Sequence, residues 1–507
     1  MQARFAPRIL STAVFVAAFA THGNAAEPPR PDDPSNLSTL DPREQALRTE
    51  LQDILQAPEL QGALAGVHVR SLRDGHTVFE RNSTRLFNPA SNMKLLTTAA
   101  ALWYLGPSYR FKTEARYSGE LKAGVVDGDL YIKGYGDPTL TTEELFGFVN
   151  DIALAGVQKV QGDLIIDDSF FDNVHEGPGW DQEDSDHAYA APIGPLSINF
   201  NTFELRILPG QSVGEPARVA VWPDVPSIEV MNTAETRGAR TRTRLWLGTS
   251  RRDDNGVRVT VRGAIALNDA TGRIERRRVN DPSRFAGEAI MSLLKMRGVE
   301  VKGRVKFSQA PRRTSQPIAY HWSKPLAEVT STLNKYSNNV MAEMIFKTLG
   351  AELGETQGSW ATGSKVIRDF LMEIGIKDDS FVIGNGSGLN DINRITPSQI
   401  TLVLEAMYRR FEVQAEFVAS LAVAGNSGTI TGRFENSPAV SRLRAKTGSL
   451  TGVSALSGYV VTRNDEVLAF SVLMNDYPGR ARTMWSIQDR IGIALARYQG
   501  QEVVARP

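Results

Sequence analysis

Three short motifs, far apart in the chain, carry the groups that an acyl transfer needs. Ser91-Asn-Met-Lys94 puts a hydroxyl and an amine three residues apart, just before an apolar run from Leu95 to Leu105. Pro89 suits the lead-in to a helix. On a helix, residues three apart are neighbours, with β-carbons about 5–6 Å apart. A Ser91 hydroxyl becomes a nucleophile when a base removes its proton. Lys94 is such a base once burial or a second cation lowers its pKa. Ser337-Asn338-Asn339 follows between two predicted helices, and Lys446-Thr447-Gly448 lies at the end of a predicted strand. In this arrangement Ser91 attacks a carbonyl carbon and Lys94 takes its proton. Ser337 relays that proton to a leaving nitrogen, and Asn339 binds the substrate amide. Lys446 adds charge that depresses the Lys94 pKa and attracts an anionic substrate, and Thr447 donates to its carboxylate. An oxyanion needs two preorganised donors, each worth about 3 kcal/mol in other enzymes. The N–H groups of Ser91 and Ser449 are the candidates.

Singly, such motifs are common. Ser292-Leu-Leu-Lys295 also fits Ser-x-x-Lys, but without a Pro-bearing helix start it reads as an exposed helix position. Ser197-Ile-Asn199 also fits Ser-x-Asn. Gly210-Gln-Ser-Val-Gly214 fits a nucleophile elbow, yet a strand-like run follows where that motif needs a helix, so it reads as a turn. Ser91 alone would read as a helix cap. It is the three motifs in order, each in a fitting local setting, that point to catalysis. The histidines His68, His76, His175, His187 and His321 show no metal-ligand spacing, and the acidic stretch Asp181 to Asp186 lacks a calcium-loop pattern. No metal or cofactor is expected.

Composition narrows the setting. Lys+Arg and Asp+Glu are both 57, so neither nucleic acid nor a polybasic membrane contact is indicated. Cysteine is absent, which excludes disulfides and Cys-based metal sites. Arg4 and Arg8 precede the apolar run Ile9 to Ala20, and Gly23-Asn-Ala25 supplies small residues for cleavage. Residues 1–25 therefore read as a secretory signal peptide and 26–42 as a linker. No later stretch reaches about 18 uninterrupted apolar residues, so an exported protein without a transmembrane anchor is expected.

The elements that must position the motifs come from both ends. Ala63 to Arg70 and His76 to Arg81 read as a hairpin around Asp74-Gly75. Near the other end, Arg442 to Lys446 reads as a strand, Ser454 to Arg463 and Glu466 to Met474 as a hairpin, and Ala481 to Gln499 as an amphipathic helix. Together they can complete one antiparallel sheet, covered by helices at 324–334, 339–350, 358–374 and 397–409. The fold class is α/β (α+β). Residues 43–105 and 316–507 form the catalytic domain, with 106–195 and 273–315 an inserted α/β domain and 196–272 a nested β-rich module. Within the insertion, a helix followed by Gly156 to Ile166 is echoed by a helix followed by Gly298 to Phe307. The insertion is expected to shape access to the cleft rather than to supply chemistry.

These residues resemble the D-alanyl-D-alanine carboxypeptidase/endopeptidase family of low-molecular-mass penicillin-binding proteins that carry a large insertion between the first two motifs. The gap of about 245 residues between Ser91 and Ser337 far exceeds what a β-lactamase of ordinary domain size allows. Tyr189 to Asn199, Asn334 to Asn339, Asn385 to Leu389 and Ala424 to Thr429 are also family-like, with Asn385 and Asn426 where Asp is expected. The resemblance implies a β-lactamase/transpeptidase-like domain and a serine DD-peptidase. Its partners would be peptidoglycan stem peptides, with β-lactams captured covalently on Ser91 and no cofactor. It also implies a periplasmic location, with contact at the inner membrane left open. Two other readings stay open from the residues alone: a β-lactamase or esterase on the same scaffold, and a non-catalytic wall-binding protein that works through the β module.

Overall fold

The computed structural model describes residues 41–500, apart from 183, 184 and 355. The signal-peptide and linker readings fall outside the described residues, save for the last two positions of the linker. Ten α-helices are present among the described residues: α1 (Pro42–Ile54), α2 (Met93–Leu105), α3 (Thr142–Leu154), α4 (Pro282–Met296), α5 (Leu326–Tyr336), α6 (Asn339–Leu353), α7 (Trp360–Glu373), α8 (Pro397–Arg409), α9 (Phe411–Ser420) and α10 (Ala481–Arg497).

One six-stranded antiparallel sheet joins the two ends of the chain. Its order is Ala422–Val423, Leu443–Leu450, Val453–Val461, Val467–Asn475, Leu64–Ser71, Thr77–Arg81. The seam is the pairing of Leu64–Ser71 with Val467–Asn475, in which Val67 sits opposite Val472. Side chains alternate across a strand. Ala455 and Tyr459 therefore face the helices α2 and α5 to α9, while Leu456 and Val460 face α1 and α10. The strand that carries the third motif is longer than expected. Leu443–Leu450 pairs along its whole length with Val453–Val461, so Lys446 lies in mid-strand and Ser449 near the hairpin end.

α2 is buried from Met93 through Leu102. Ala and Leu favour helix, and the small Ala99-Ala100-Ala101 run lets neighbouring elements close in on every side. The helix stops at Gly106, whose φ of 78° suits glycine. Capping boxes start three other helices: Thr141 with Glu144 at α3, Ser359 with Thr362 at α7, and Thr396 with Gln399 at α8. α9 is an addition to the helices expected from the sequence; it follows α8 directly at Arg410, without a side-chain cap to announce it.

The chain between α2 and α5 builds its own sheets. A five-stranded sheet runs Val305–Phe307, Leu164–Asp167, Leu130–Gly134, Lys112–Ser118, Ser315–Trp322. The internal echo has a structural counterpart: the strands after α3 and after α4 lie side by side in parallel, Lys159 opposite Glu300 and Leu164 opposite Val305. The β-rich part holds a three-stranded and a four-stranded sheet. Two edges differ from the sequence boundaries. Arg273–Arg278 lies past 272, yet it hydrogen-bonds along Thr202–Leu208 in the β-rich part. Ser315–Trp322 crosses 315 because it completes the five-stranded sheet against Lys112–Ser118. Phe203, Leu205 and Val259 share one buried core with Phe148 of α3 and Ile290 of α4, so the β-rich part is not packed separately.

Candidate active site

The three motifs converge. Ser91 sits in a short 3-10 turn, Ala90–Asn92, that runs straight into α2. Asn88 prepares this turn by accepting the Ala90 N–H at 2.8 Å. One helical turn on, the wholly buried Lys94 points its amine at Ser91 Oγ, 2.9 Å away. The amine also donates to Asn339 Oδ1 at 2.7 Å and to the Ser387 carbonyl at 2.7 Å. A neutral amine has two N–H groups and one lone pair. With both N–H groups committed to Asn339 and Ser387, the lone pair is left facing the Ser91 hydroxyl.

Ser337 ends α5 in the left-handed conformation, φ 58° and ψ 37°. Non-glycine residues adopt it rarely, and often at functional sites. It brings the hydroxyl to Lys446 Nζ, which donates to it at 2.7 Å. Asn338, the middle residue of its motif, plays a different part. It caps α6 by accepting the Met341 N–H at 3.0 Å. Asn339 thereby begins α6 with its side chain turned to Lys94. The Asn339 amide N–H donates at 3.0 Å to the Tyr189 carbonyl, which comes from the inserted segment. The insertion thus touches the motif directly.

The strand bearing Lys446 is locked to the turn bearing Ser91. Asn92 donates to the Lys446 carbonyl at 3.0 Å. A β-carbon on Gly448 would lie 2.8 Å from the Pro89 carbonyl and 3.1 Å from the Ser91 nitrogen. We expect Gly448→Ala to push the strand off the turn and slow acylation by about 10²-fold, the scale of a lost oxyanion donor, with thermal unfolding as the control for a merely destabilised chain. Thr447 donates its hydroxyl to Thr429 at 2.8 Å. Ser91, Ser337, Thr447 and Ser449 open onto one cavity of about 730 Å³, whose wall also includes Arg482 and Trp485.

Burial lowers the Lys94 pKa from 10.5 to about 7, against the pull of Glu343. Lys446 is also held well below an ordinary lysine, first by burial and then by the Lys94 charge. Desolvation of the buried amine is the leading cause of the Lys94 shift, and the two buried lysines also repel one another. Glu343 escaped the sequence reading. It is buried inside α6 and accepts the N–H groups of Gly386 and Ser387 at 2.9 and 2.8 Å, and the Trp360 indole N–H at 2.9 Å. It thereby fixes the loop whose Ser387 carbonyl receives Lys94. A charged residue inside the apolar run Val340 to Leu349 was the available signal.

The other serine motifs gather no such partners. Ser292 and Lys295 line a separate cavity of about 810 Å³ on α4, where Ser292 is half-buried rather than exposed. Gly210 to Gly214 is a loop between Thr202–Leu208 and Arg218–Trp222.

Comparison with known proteins identifies the family. The model of the D-Ala-D-Ala carboxypeptidase 3 (S13) family matches residues 47–494. A D-alanyl-D-alanine carboxypeptidase of Actinomadura sp. strain R39 is 35% identical over 470 residues, spanning 90% of this chain and 85% of that protein. DacB of Haemophilus influenzae, a D-alanyl-D-alanine carboxypeptidase, is 27% identical over 419 residues, 82% of this chain and 86% of that protein. The crystal structure of Haemophilus influenzae penicillin-binding protein 4 superposes with a TM-score of 0.75 at 27% identity, covering 88% of this chain and 98% of that one. The same protein in complex with a β-lactam gives a TM-score of 0.71 at 26% identity, covering 89% and 99%. With a family match over most of its length and the paired serines and lysines in place, the chain belongs to the S13 family of D-Ala-D-Ala carboxypeptidases.

Proposed function

We propose that this serine-type D-Ala-D-Ala carboxypeptidase works through an acyl-enzyme on Ser91, with Lys94 as the base. The observation that carries the proposal is the Lys94 amine, buried, lowered to about 7 and 2.9 Å from Ser91 Oγ. Ser91 Oγ attacks the carbonyl of the penultimate D-alanine of a peptidoglycan stem peptide while its proton passes to Lys94. The Ser91 and Ser449 N–H groups hold the oxyanion. Ser337, bonded to Lys446, carries a proton to the leaving amine as the peptide bond breaks. Asn339 positions the substrate amide, and Lys446, Thr447 and Ser449 receive the terminal carboxylate, with Gly448 keeping the strand close. Water then hydrolyses the ester. No step needs a cofactor. The same chemistry cleaves D-amino-acid cross-links, for which the leaving amine belongs to a second peptide.

A β-lactam enters as a mimic of the peptide and stays bound to Ser91. The one carboxylate lining the Ser91 cavity among the described residues is Asp489, and its Oδ1 is engaged twice by Arg433, at 2.9 and 2.7 Å. Burial raises the pKa of this carboxylate against the pull of Arg433, but no sequence motif places a glutamate as a deacylation base, and a lasting adduct is expected.

Export fits this substrate. We read residues 1–25 as the signal, 26–42 as a linker, and the periplasm as the destination. Among the described residues, no helix is long and apolar enough to cross a membrane. The catalytic domain comprises 43–105 and the chain from about 323 onward, with the insertion between them.

The assay is release of D-alanine from a soluble peptide ending in D-Ala-D-Ala. Wild type should release it, and Ser91→Ala should not. The pH profile follows from the sign of the Lys94 shift. The base must be neutral, and an amine is neutral above its pKa. Acylation should fall about tenfold per pH unit below about 7 and level off above it. A rate flat from pH 5 to 8 would contradict Lys94 as the base.

A further inference from the structure

The β-rich part carries an aromatic platform that the peptidase chemistry does not use. Arg244–Arg251 is an edge strand that pairs, among the described residues, with Val257–Ala266 alone. Alternation puts Arg244, Trp246, Gly248 and Ser250 on one face of it. Trp246 is 56% exposed, yet its ring is held in place. The far end of the six-membered ring rests over Gly248, where an added β-carbon would come within 2.5 Å of the ring. The guanidinium of Arg262, directly opposite on the neighbouring strand, stands 5.5 Å from the ring centroid. Met231 extends the patch from the next strand and is 50% exposed. Arg258 on this face is matched by Glu229, but Arg244 and Arg262 have no carboxylate partner among the described residues.

We propose that this face binds the glycan strand of the wall polymer, with a sugar ring against Trp246 and polymer carboxylates at Arg244 and Arg262. The indole packs one edge on Gly248 and stays 56% exposed. It offers a π face, and that face is electron-rich. A pyranose has a matching partner, a flat face of polarised C–H groups, with its hydroxyl and N-acetyl groups directed outward to polar neighbours such as Thr260 and Ser250. The unmatched arginines suit a polymer whose stem peptides bear carboxylates, and whose lactyl groups bear them once a peptide is removed. The choice of this polymer rests on the peptidase reading above. A second grip on the glycan would raise the concentration of its peptides near the Ser91 cleft without touching the chemistry.

The test is co-sedimentation of the full-length exported protein with purified sacculi, with sacculi stripped of peptide by an amidase, and with phosphatidylglycerol vesicles. Trp246→Ala should weaken binding to both wall preparations about tenfold, Arg262→Ala should weaken it less, and Trp246→Phe should retain most of it. Penicillin acylation of Ser91 should be the same in all variants, which separates this proposal from the catalytic one. Wild-type binding to the walls that Trp246→Ala leaves unchanged overturns the proposal. So does a loss seen on vesicles alone, or a wild-type protein that pellets with neither wall preparation.

Discussion

Lys94→Arg should react with a penicillin about 10³-fold more slowly than wild type, although it keeps the positive charge. Arginine cannot give up its proton inside a protein, so it offers no lone pair to the Ser91 hydroxyl. Its flat fork also cannot reproduce three contacts arranged around one nitrogen, to Ser91 Oγ, Asn339 Oδ1 and the Ser387 carbonyl. The check is the second-order acylation rate constant, measured beside thermal unfolding. A folded Lys94→Arg enzyme that acylates at the wild-type rate would remove Lys94 from the role of base.

Glu343 should be the most costly side chain to remove without touching substrate. Glu343→Ala leaves three buried donors without an acceptor, those of Gly386, Ser387 and Trp360. Each costs about 1–3 kcal/mol, enough together to lower the unfolding midpoint by many degrees. Glu343→Gln keeps the shape and part of the acceptor capacity, so it should fold. It also removes the negative charge that holds the Lys94 pKa up. The Lys94 pKa should then fall below about 7, and the acid limb of the acylation profile should move to lower pH. A residue with only a structural role would lower stability and leave that midpoint in place.

The chemistry was more legible than its supports. The motifs bearing Ser91, Lys94, Ser337, Asn339 and Lys446 could be read because each is local. What could not be read depends on residues far apart. The Tyr189 carbonyl meets Asn339 across 150 positions, and the Glu343 carboxylate meets Gly386 across 43. Nothing in either local sequence announces the other. The left-handed turn at Ser337 has no glycine to advertise it. Arg273–Arg278 shows little apolar alternation because it is an edge strand, largely exposed, so its pairing with Thr202–Leu208 had no periodic signal. By sequence the strand Leu443–Leu450 stops at Lys446, because Gly448 and Ser449 have low strand preference. Pairing with Val453–Val461 overrides that preference. The expectation that the insertion only shapes access must now accommodate the Tyr189 contact, and the Lys347 amine, which donates to the Val174 carbonyl at 2.8 Å.

The central claim is a covalent bond on Ser91. Time-resolved intact mass of the wild-type protein with a penicillin, beside Ser91→Ala, tests it most directly. The account predicts a mass gain of one intact drug that persists long after mixing in wild type and is missing in Ser91→Ala. An adduct that survives in Ser91→Ala, or no adduct in a folded wild-type protein, would contradict it.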